Sequence, residues 1–195
     1  MISSIQTGPA LLRTLRSEDR VEFVRVHEIS REHFGSWMPA QAPGQSLDDL
    51  FQDELVRAET GAREGTEIRW IAILPDGRMA GVFSLSQIFR GAFQNAYASW
   101  RVSIDQIGQG IATAGLIALL DLAFAPEPDG LGLHRVQANI IPSNRASVRV
   151  AEKAGFRLEG EAENYLKIDG RWQNHLMFAK LAEEHEVGAD SSSDS

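Results

Sequence analysis

A glycine-containing turn at residues 107–113, reading Ile-Gly-Gln-Gly-Ile-Ala-Thr, carries the clearest chemical signal in this chain. The turn stands between a strand-like run at residues 96–104 and an apolar, helix-like run at residues 111–124. A turn placed this way directs several backbone N–H groups towards one point at the positive end of a helix dipole, which favours a bound phosphate. Gly108 and Gly110 permit backbone geometry that a β-carbon would resist, and they leave room for a phosphate to come close. These residues therefore predict that the chain binds a phosphorylated ligand.

The spacing of the turn distinguishes between known phosphate-binding motifs. A Walker A loop ends in Gly-Lys-Ser/Thr, and no such tripeptide follows Gly110. A dinucleotide-binding G-x-G-x-x-G that started at Gly108 would need a third glycine where Thr113 stands. The pyrophosphate turn of acyl-coenzyme A transferases, Q/R-x-x-G-x-G/A, fits better, because Gly110 and Ala112 fill its last two fixed positions. Its first position falls on Ile107 instead of Gln or Arg, so the turn alone leaves open a plain glycine-containing helix start.

The composition favours a soluble globular protein and gives no sign of a nucleic-acid-binding one. The chain has 195 residues, of which 43% are hydrophobic and 24% charged, and this suits one domain with a sizeable core. The net charge of −8 comes without a concentration of Lys or Arg, so we expect no direct contact with nucleic acid. The absence of cysteine excludes disulfides and thiolate chemistry and fits a reducing compartment.

The same sequence predicts a cytoplasmic protein without a membrane or metal partner. Residues 1–12 lack the basic start and apolar core of a signal peptide. The most apolar segment, residues 111–124, is shorter than the ~20 residues that span a bilayer. The five histidines show no spacing typical of metal ligands, so we expect no metal.

The elements around the turn predict a mixed α/β fold. Helices are expected at residues 17–31, 46–62, 111–124 and 145–153. Strands are expected at residues 11–15, 67–74, 79–88, 96–104, 134–141, 156–165, 166–168 and 173–180, with a loop at 34–45. The first helix is expected to present one crowded apolar face made of Val21, Phe23, Val24, Val26 and Ile29. Residues 183–195 are acidic and rich in serine, which predicts a disordered tail behind a single domain at residues 1–182.

Five short motifs follow one another in the second half of the chain. They are Leu133-His134-Arg135-Val136, Pro142-x-Asn144-x-x-Ser147, Glu152-Lys153-x-Gly155-Phe156, Glu159-Gly160 and Asp169-Gly170-x-Trp172. In this order and spacing the chain resembles the GNAT-superfamily N-acetyltransferases over about residues 12–181. Arg90-Gly91-x-Phe93 and Tyr165-Leu166-x-Ile168-Asp169-Gly170 look most like the RimJ branch of the RimJ/RimL type, the ribosomal-protein N-terminal acetyltransferases. The RimJ branch acts on an N-terminal alanine of a small-subunit ribosomal protein.

The resemblance implies a twisted mixed sheet, flanked by helices, whose two central strands splay apart around acetyl-CoA. The pyrophosphate would lie on the turn, the pantetheine arm would pair with the backbone around residues 102–104, and Asn144 would steady the pantetheine amide. The cofactor-binding residues expected on this basis are Val102, Ile104, Ile107, Gly108, Gln109, Gly110, Ile111, Ala112, Thr113 and Asn144. Asn144 is also a plausible plain helix cap.

The reaction that the resemblance implies is direct attack of a neutral amine on the thioester. Many family members protonate the leaving thiolate with a tyrosine seven residues after the motif asparagine, but Ala151 stands there. Ser147 matches the serine of the RimJ/RimL type and is expected to donate a hydrogen bond to the thiolate, and Tyr165 could act at either proton transfer. No general base can be identified. The carboxylates of Asp105, Glu159, Glu161 and Glu163 are candidates by their sequence position, and deprotonation through water is equally open.

Three functions stay open for the acceptor side. The leading one is acetylation of a protein or peptide α-amine. In the second, the acceptor is a small amine, and residues 34–45 and 87–94 line its pocket with an apolar wall of Trp37, Phe89 and Phe93. In the third, the chain is a non-catalytic acyl-CoA-binding or ribosome-assembly module.

Overall fold

The computed structural model describes residues 4–39, 42 and 44–185. The strands are β1 (Ser4–Gln6), β2 (Leu11–Thr14), β3 (Ile68–Ile73), β4 (Met79–Phe89), β5 (Asn95–Val102), β6 (Arg135–Ile140), β7 (Arg157–Ile168) and β8 (Arg171–Leu181). The helices are α1 (Arg20–Ile29), α2 (Arg31–Gly35), α3 (Leu47–Glu64), α4 (Ile111–Phe124) and α5 (Arg145–Lys153). Short 3-10 turns precede α1 at Ser17–Asp19 and follow β5 at Ile104–Gln106.

All eight strands form one sheet in the order β1-β2-β3-β4-β5-β6-β8-β7. Only β5 and β6 pair in parallel, and their pairing is limited to residues 95–97 opposite residues 135–137. Both strands continue beyond this short contact, to Val102 and to Ile140, without further pairing between them. The centre of the sheet therefore splits open towards the carboxyl ends of β5 and β6, as the sequence resemblance predicted.

Helices cover both faces of the sheet and so create two cores. On one face α4 and α5 pack against β4, β5 and β6, with Leu116 and Val148 among the buried residues. Gly115 lies against the ring of Phe83 there, and a β-carbon at this position would overlap the ring. On the other face α1 and α3 enclose a smaller core around Phe23 and Phe51. The mixed α/β class predicted from the sequence is thus confirmed.

Several element boundaries differ from the sequence prediction. The first helix buries Phe23 and Val26, but Val21 is 71% exposed and Ile29 45% exposed, so the predicted five-residue apolar face is wrong in part. The predicted loop at 34–45 begins inside α2, which extends to Gly35. The predicted strands at 156–165 and 166–168 are the single strand β7, with a register shift between Ala162 and Leu166.

The carboxyl-terminal residues of the described structure contact the body of the molecule. Residues 182–185 form a helical turn, in which Glu184 accepts a hydrogen bond from the Leu181 N–H and pairs with Arg157. His185 bonds to Asp121 at 2.6 Å. Residues 186–195 of the predicted tail lie outside the described residues, so its disorder stays a prediction. Among the described helices, none is both long and apolar enough to cross a membrane.

Candidate active site

The glycine turn forms an open cradle of backbone N–H groups at the start of α4. Gly108 and Gly110 both have φ of +79°, the left-handed region that favours glycine, and a β-carbon at either position would point into open space. The first helical bond runs from the Ala114 N–H to the Gly110 oxygen. Across the described part of the chain, the N–H groups of residues 108–113 find no protein acceptor. This arrangement fits a phosphate group, because several free donors meet at a helix amino terminus.

The cradle opens into a cleft of about 330 Å³ between α2, α4, α5 and the free edge of β5. Its lining contains six residues of the predicted turn, namely Ile107, Gly108, Gly110, Ile111, Ala112 and Thr113. Gln109 does not line the cleft, and its side chain donates instead to the Asp105 carbonyl at 3.5 Å. Six of the seven residues of the turn therefore line one cleft, and their contact with a cofactor stays a prediction.

The free edge of β5 presents backbone groups to this cleft. Ser103 donates its N–H to the Ala80 carbonyl at 2.8 Å, and peptide groups in an antiparallel pair alternate in direction. Trp100 and Val102 therefore point their N–H and C=O groups into the split, where an extended ligand can pair with them. The Ile104 N–H is donated to Ser30 Oγ at 3.1 Å, so it does not face the split, and contact of Ile104 with the cofactor stays a prediction. Trp100 presents its backbone groups to the split instead.

Asn144 and Ser147 stand at the amino terminus of α5, on the opposite side of the cleft. Asn144 Oδ1 accepts the Ser147 N–H at 3.1 Å, so Asn144 is the helix cap that its residue type favours. The cap occupies only the oxygen, and the Asn144 Nδ2 group finds no acceptor in the described structure. Both residues line the cleft, and the buried Ala151 confirms that no tyrosine hydroxyl reaches the site from α5.

A second, smaller cleft of about 140 Å³ continues the first one into the split between β5 and β6. The two clefts share Trp37, Trp100, Asn144 and Ser147. Ser99 from β5, Asn139 from β6 and His175 from β8 complete the polar lining of the smaller cleft. A larger cavity of about 370 Å³ lies under α1, α2 and α3, but its lining includes neither the glycine turn nor Ser147. The chemistry is therefore expected where the two joined clefts meet.

Tyr165 lies behind the smaller cleft and does not line it. Its hydroxyl accepts a hydrogen bond from Asn139 Nδ2 at 2.8 Å, and its ring centroid lies 5.3 Å from that of His175. Burial raises the pKa of Tyr165 above its usual value of 10.0, so the hydroxyl stays protonated at neutral pH. The structure thus connects Tyr165 to the site through Asn139 and His175.

The carboxylates proposed as general bases are engaged elsewhere or exposed. Partial burial alone would raise the pKa of Asp105, but its bond from Ser103 and its ion pair with Arg25 outweigh burial and lower that pKa. The hydrogen bond from Arg135 lowers the pKa of Glu159.

The remaining two carboxylates, Glu161 and Glu163, are exposed on β7, and Glu161 accepts from Asn174 at 2.9 Å. None of the four candidate carboxylates lines either cleft.

The predicted apolar wall of the acceptor pocket is not assembled. Trp37 lines both clefts. Phe89 and Phe93 line neither; their ring centroids lie 5.6 Å apart and their side chains are 43% and 49% exposed. These two residues stand at the amino-terminal end of β5, where β4 pairs with it, whereas the clefts open at its carboxyl end.

Some residues at the site could not be assigned from the sequence. Arg149 and Lys153, one helical turn apart on α5, bring exposed cations to the cleft of about 330 Å³ beside the glycine turn, hereafter the cofactor cleft. Asn139 and His175 meet in the smaller cleft because β6 pairs with β8. The sequence predicted a strand around each residue, at 134–141 and 173–180, but it did not predict that these two strands pair. In the described residues, no group of three or more His, Cys, Asp and Glu is placed to hold a metal ion.

Comparison with known proteins identifies the family. The acetyltransferase (GNAT) domain family matches residues 10–157. A Bacillus subtilis relative named "Probable N-acetyltransferase YjcK" is 40% identical over 57% of this chain and 59% of its own length, so the match spans less than two thirds of that protein. The Escherichia coli "[Ribosomal protein uS5]-alanine N-acetyltransferase" is 24% identical over 90% of this chain and 89% of its own length.

A solved structure extends the likeness to the whole fold. The structure of Mycobacterium smegmatis RimJ in complex with CoA-disulfide superimposes with a TM-score of 0.80 at 27% identity, covering 94% of each chain. A phosphate cradle, a split sheet and a free strand edge fit a coenzyme A thioester, which carries a pyrophosphate and an extended arm with peptide-like amides. The chain belongs to the GNAT acetyltransferase family as a relative of the RimJ/RimL type, and it is an N-acetyltransferase that uses acetyl-CoA.

Proposed function

We propose that this enzyme acetylates the α-amine at the N-terminus of a protein, with a ribosomal protein that begins with alanine as the first candidate. The likeness to the uS5-alanine N-acetyltransferase over nine-tenths of the chain supports this choice. The proposal includes a cytoplasmic location, where ribosomal proteins are made, and the lack of cysteine agrees with a reducing compartment.

The smaller cleft is the observation that carries the proposal. Its volume of about 140 Å³ suits an amine with a small first side chain better than a bulky acceptor. Its lining contains no carboxylate, whereas a polyamine has several positive charges that need acidic partners. An N-terminal ammonium has one charge, which it loses before it reacts.

The residues at the junction can perform the transfer. The free Asn144 Nδ2 and the open edge of β5 hold the extended arm, so that the thioester lies near Ser147. The Ser147 hydroxyl donates to the departing thiolate, because a serine is too weak an acid to give up its proton outright.

The test is acetyl transfer to a panel of acceptors, followed by mass spectrometry with fragmentation to locate the acetyl group. The panel contains peptides that begin with alanine, the same peptides with a blocked N-terminus and an internal lysine, and spermidine. We expect acetylation of the free alanine peptides at the α-amine and of neither control. Preferred acetylation of spermidine would support the small-amine function, and no transfer to any acceptor would support a non-catalytic acyl-CoA-binding module.

A further inference from the structure

The smaller cleft is lined by one imidazole, that of His175. His175 on β8 is 3% exposed and lines the cleft together with Ser147, Asn144 and the tryptophans that face the cofactor cleft. The other lining residues are apolar, hydroxyl, amide or indole groups, which do not accept a proton at neutral pH. A group that deprotonates the acceptor inside this cleft is therefore His175 or water.

The hydrogen bonding of His175 selects its tautomer. Its Nδ1 lies 3.1 Å from the Gln173 carbonyl oxygen. A carbonyl can only accept, so Nδ1 carries the proton and Nε2 of the neutral ring keeps its lone pair. Within the described residues Nε2 makes no hydrogen bond, and it is left to accept one from a ligand.

Asn139 lines the same cleft and adds an unused acceptor. Its Nδ2 group donates to Tyr165, but its Oδ1 is buried without a partner in the described structure. A buried acceptor left unpaired is costly, and a ligand with N–H donors would satisfy it. An ammonium group has three N–H donors, and this cleft offers it Asn139 Oδ1 and His175 Nε2.

The groups that face His175 do not supply a competing charge. Tyr165 on β7 contacts the ring and stays neutral, and Tyr97 on β5 lies near enough to Tyr165 to raise its pKa. On β7, the residue that pairs with His175 is Ala162. The start of α5 adds two neutral groups to the lining of the cleft, Asn144 and Ser147. No ion pair in the described structure includes His175.

From this geometry we propose that His175 is the general base of the transfer, with Asn139 Oδ1 as the group that positions the ammonium. This inference rests on the proposed amine acceptor. The ammonium loses one proton to Nε2, and its freed lone pair forms the new C–N bond at the thioester carbonyl. The C–S bond breaks, the sulfur takes its electron pair, and the second nitrogen proton passes to the thiolate that Ser147 stabilises. The imidazolium then releases its proton to solvent.

The experiment compares wild-type enzyme with His175→Gln on two acceptors across pH 5 to 9. One acceptor is a peptide that begins with alanine, whose ammonium has a pKa of ~8 and needs a base. The other is hydroxylamine, which is already neutral at pH 7. His134→Gln is the matched control, since the His134 side chain is 49% exposed and outside both clefts.

We expect His175→Gln to lower kcat/KM for the peptide by roughly 100-fold at pH 7, the scale of general-base catalysis. The pH profile of kcat/KM for the peptide should change shape in the variant, while transfer to hydroxylamine and the KM for acetyl-CoA stay within about threefold of wild type. Equal loss with both acceptors would indicate a structural role and overturn the inference. Unchanged activity of the variant would overturn it as well.

Two further readouts keep the result interpretable. If wild-type enzyme acetylates another ammonium acceptor, the same comparison is made on that one; if it acetylates no amine, the proposed function fails and this inference fails with it. An active wild type with a fully active variant refutes the role of His175 alone. If His175→Gln does not fold, nitrogen NMR of the wild-type imidazole decides, because a neutral ring protonated at Nε2 would contradict the proposed base.

Discussion

Two residues were predicted from the sequence to act in catalysis, Ser147 and Tyr165. Of these, only Ser147 lines both clefts. In Ser147→Ala the departing thiolate loses a hydrogen-bond donor, and such a bond to a charged group contributes about 1.5–3 kcal/mol. We predict a fall in kcat of roughly 10- to 100-fold with little change in the KM for acetyl-CoA, measured by steady-state kinetics. Ser143→Ala is the matched control, because Ser143 is exposed on the same turn and lines neither cleft. Unchanged kcat in Ser147→Ala would remove this residue from the reaction.

His27 on α1 makes the stability of the fold depend on pH. Burial, helped by the charge of Arg101, lowers the pKa of His27 from its usual 6.5 to about 4. Between about pH 4 and 6.5, His27 is therefore protonated in the unfolded chain and neutral in the folded one. The free energy of unfolding consequently rises with pH over this range. The stabilisation is complete above pH 6.5 and is lost as the pH falls towards 4.

We predict that the free energy of unfolding decreases by about 2–3 kcal/mol between pH 7 and pH 4.5, measured by urea denaturation. His27→Phe keeps a ring beside Phe23, whose centroid lies 4.0 Å away, and should flatten the dependence in this window. Carboxylates such as Glu54, with a lowered pKa, contribute mainly at lower pH. A pH dependence that persists unchanged in His27→Phe would assign it to other groups.

At the scale of elements, the glycine turn before α4 is expected to hold the cofactor through its backbone. Gly110→Val adds a side chain in the open space of the cradle, and we predict at least a roughly tenfold loss of acetyl-CoA affinity by calorimetry. The change also strains a left-handed residue by about 1–2 kcal/mol. Gly65→Val is the control, because Gly65 ends α3 with φ of +69° and lies outside both clefts. Equal affinities in the two variants would exclude the turn from the site.

Helix α5 contributes charge to the cofactor cleft through Arg149 and Lys153. The double variant Arg149→Ala/Lys153→Ala should weaken acetyl-CoA binding about 3- to 10-fold at low salt and less at high salt, because exposed pairs are weak and screened. Arg145→Ala serves as control, since Arg145 is exposed at the start of α5 and does not line the cleft. If the double variant binds as tightly as this control at low salt, the cofactor phosphates lie elsewhere.

The sequence predicted those elements whose signals are local. The glycines of the turn, the apolar run of α4 and the Asn144 cap lie next to the structure that they determine, so both helices begin and end where expected. The acceptor side depends on contacts between distant segments. His175 and Asn139 meet only through the pairing of β6 with β8, which no local pattern specifies.

The sequence also assigned two residues to the acceptor pocket, Phe89 and Phe93, that line neither cleft. Their aromatic character suggested a binding wall, but the β4–β5 pairing carries them to the closed end of the split.

At the scale of the molecule, the function depends on a sheet that is continuous at one end of its centre and open at the other. Three paired positions join β5 to β6, and the open remainder separates the cofactor cleft from the acceptor face. We propose that residues 1–182 act as one catalytic unit, to which the contacts of Glu184 and His185 add the next helical turn.

A crystal structure of the full chain with coenzyme A would test the assignment of the two clefts most directly. We predict the pyrophosphate on the N–H groups of residues 108–113, the pantetheine arm along Trp100 and Val102, and the thiol beside Ser147. Coenzyme A bound in the 370 Å³ cavity under α1–α3, or with its thiol away from Ser147, would contradict the assignment.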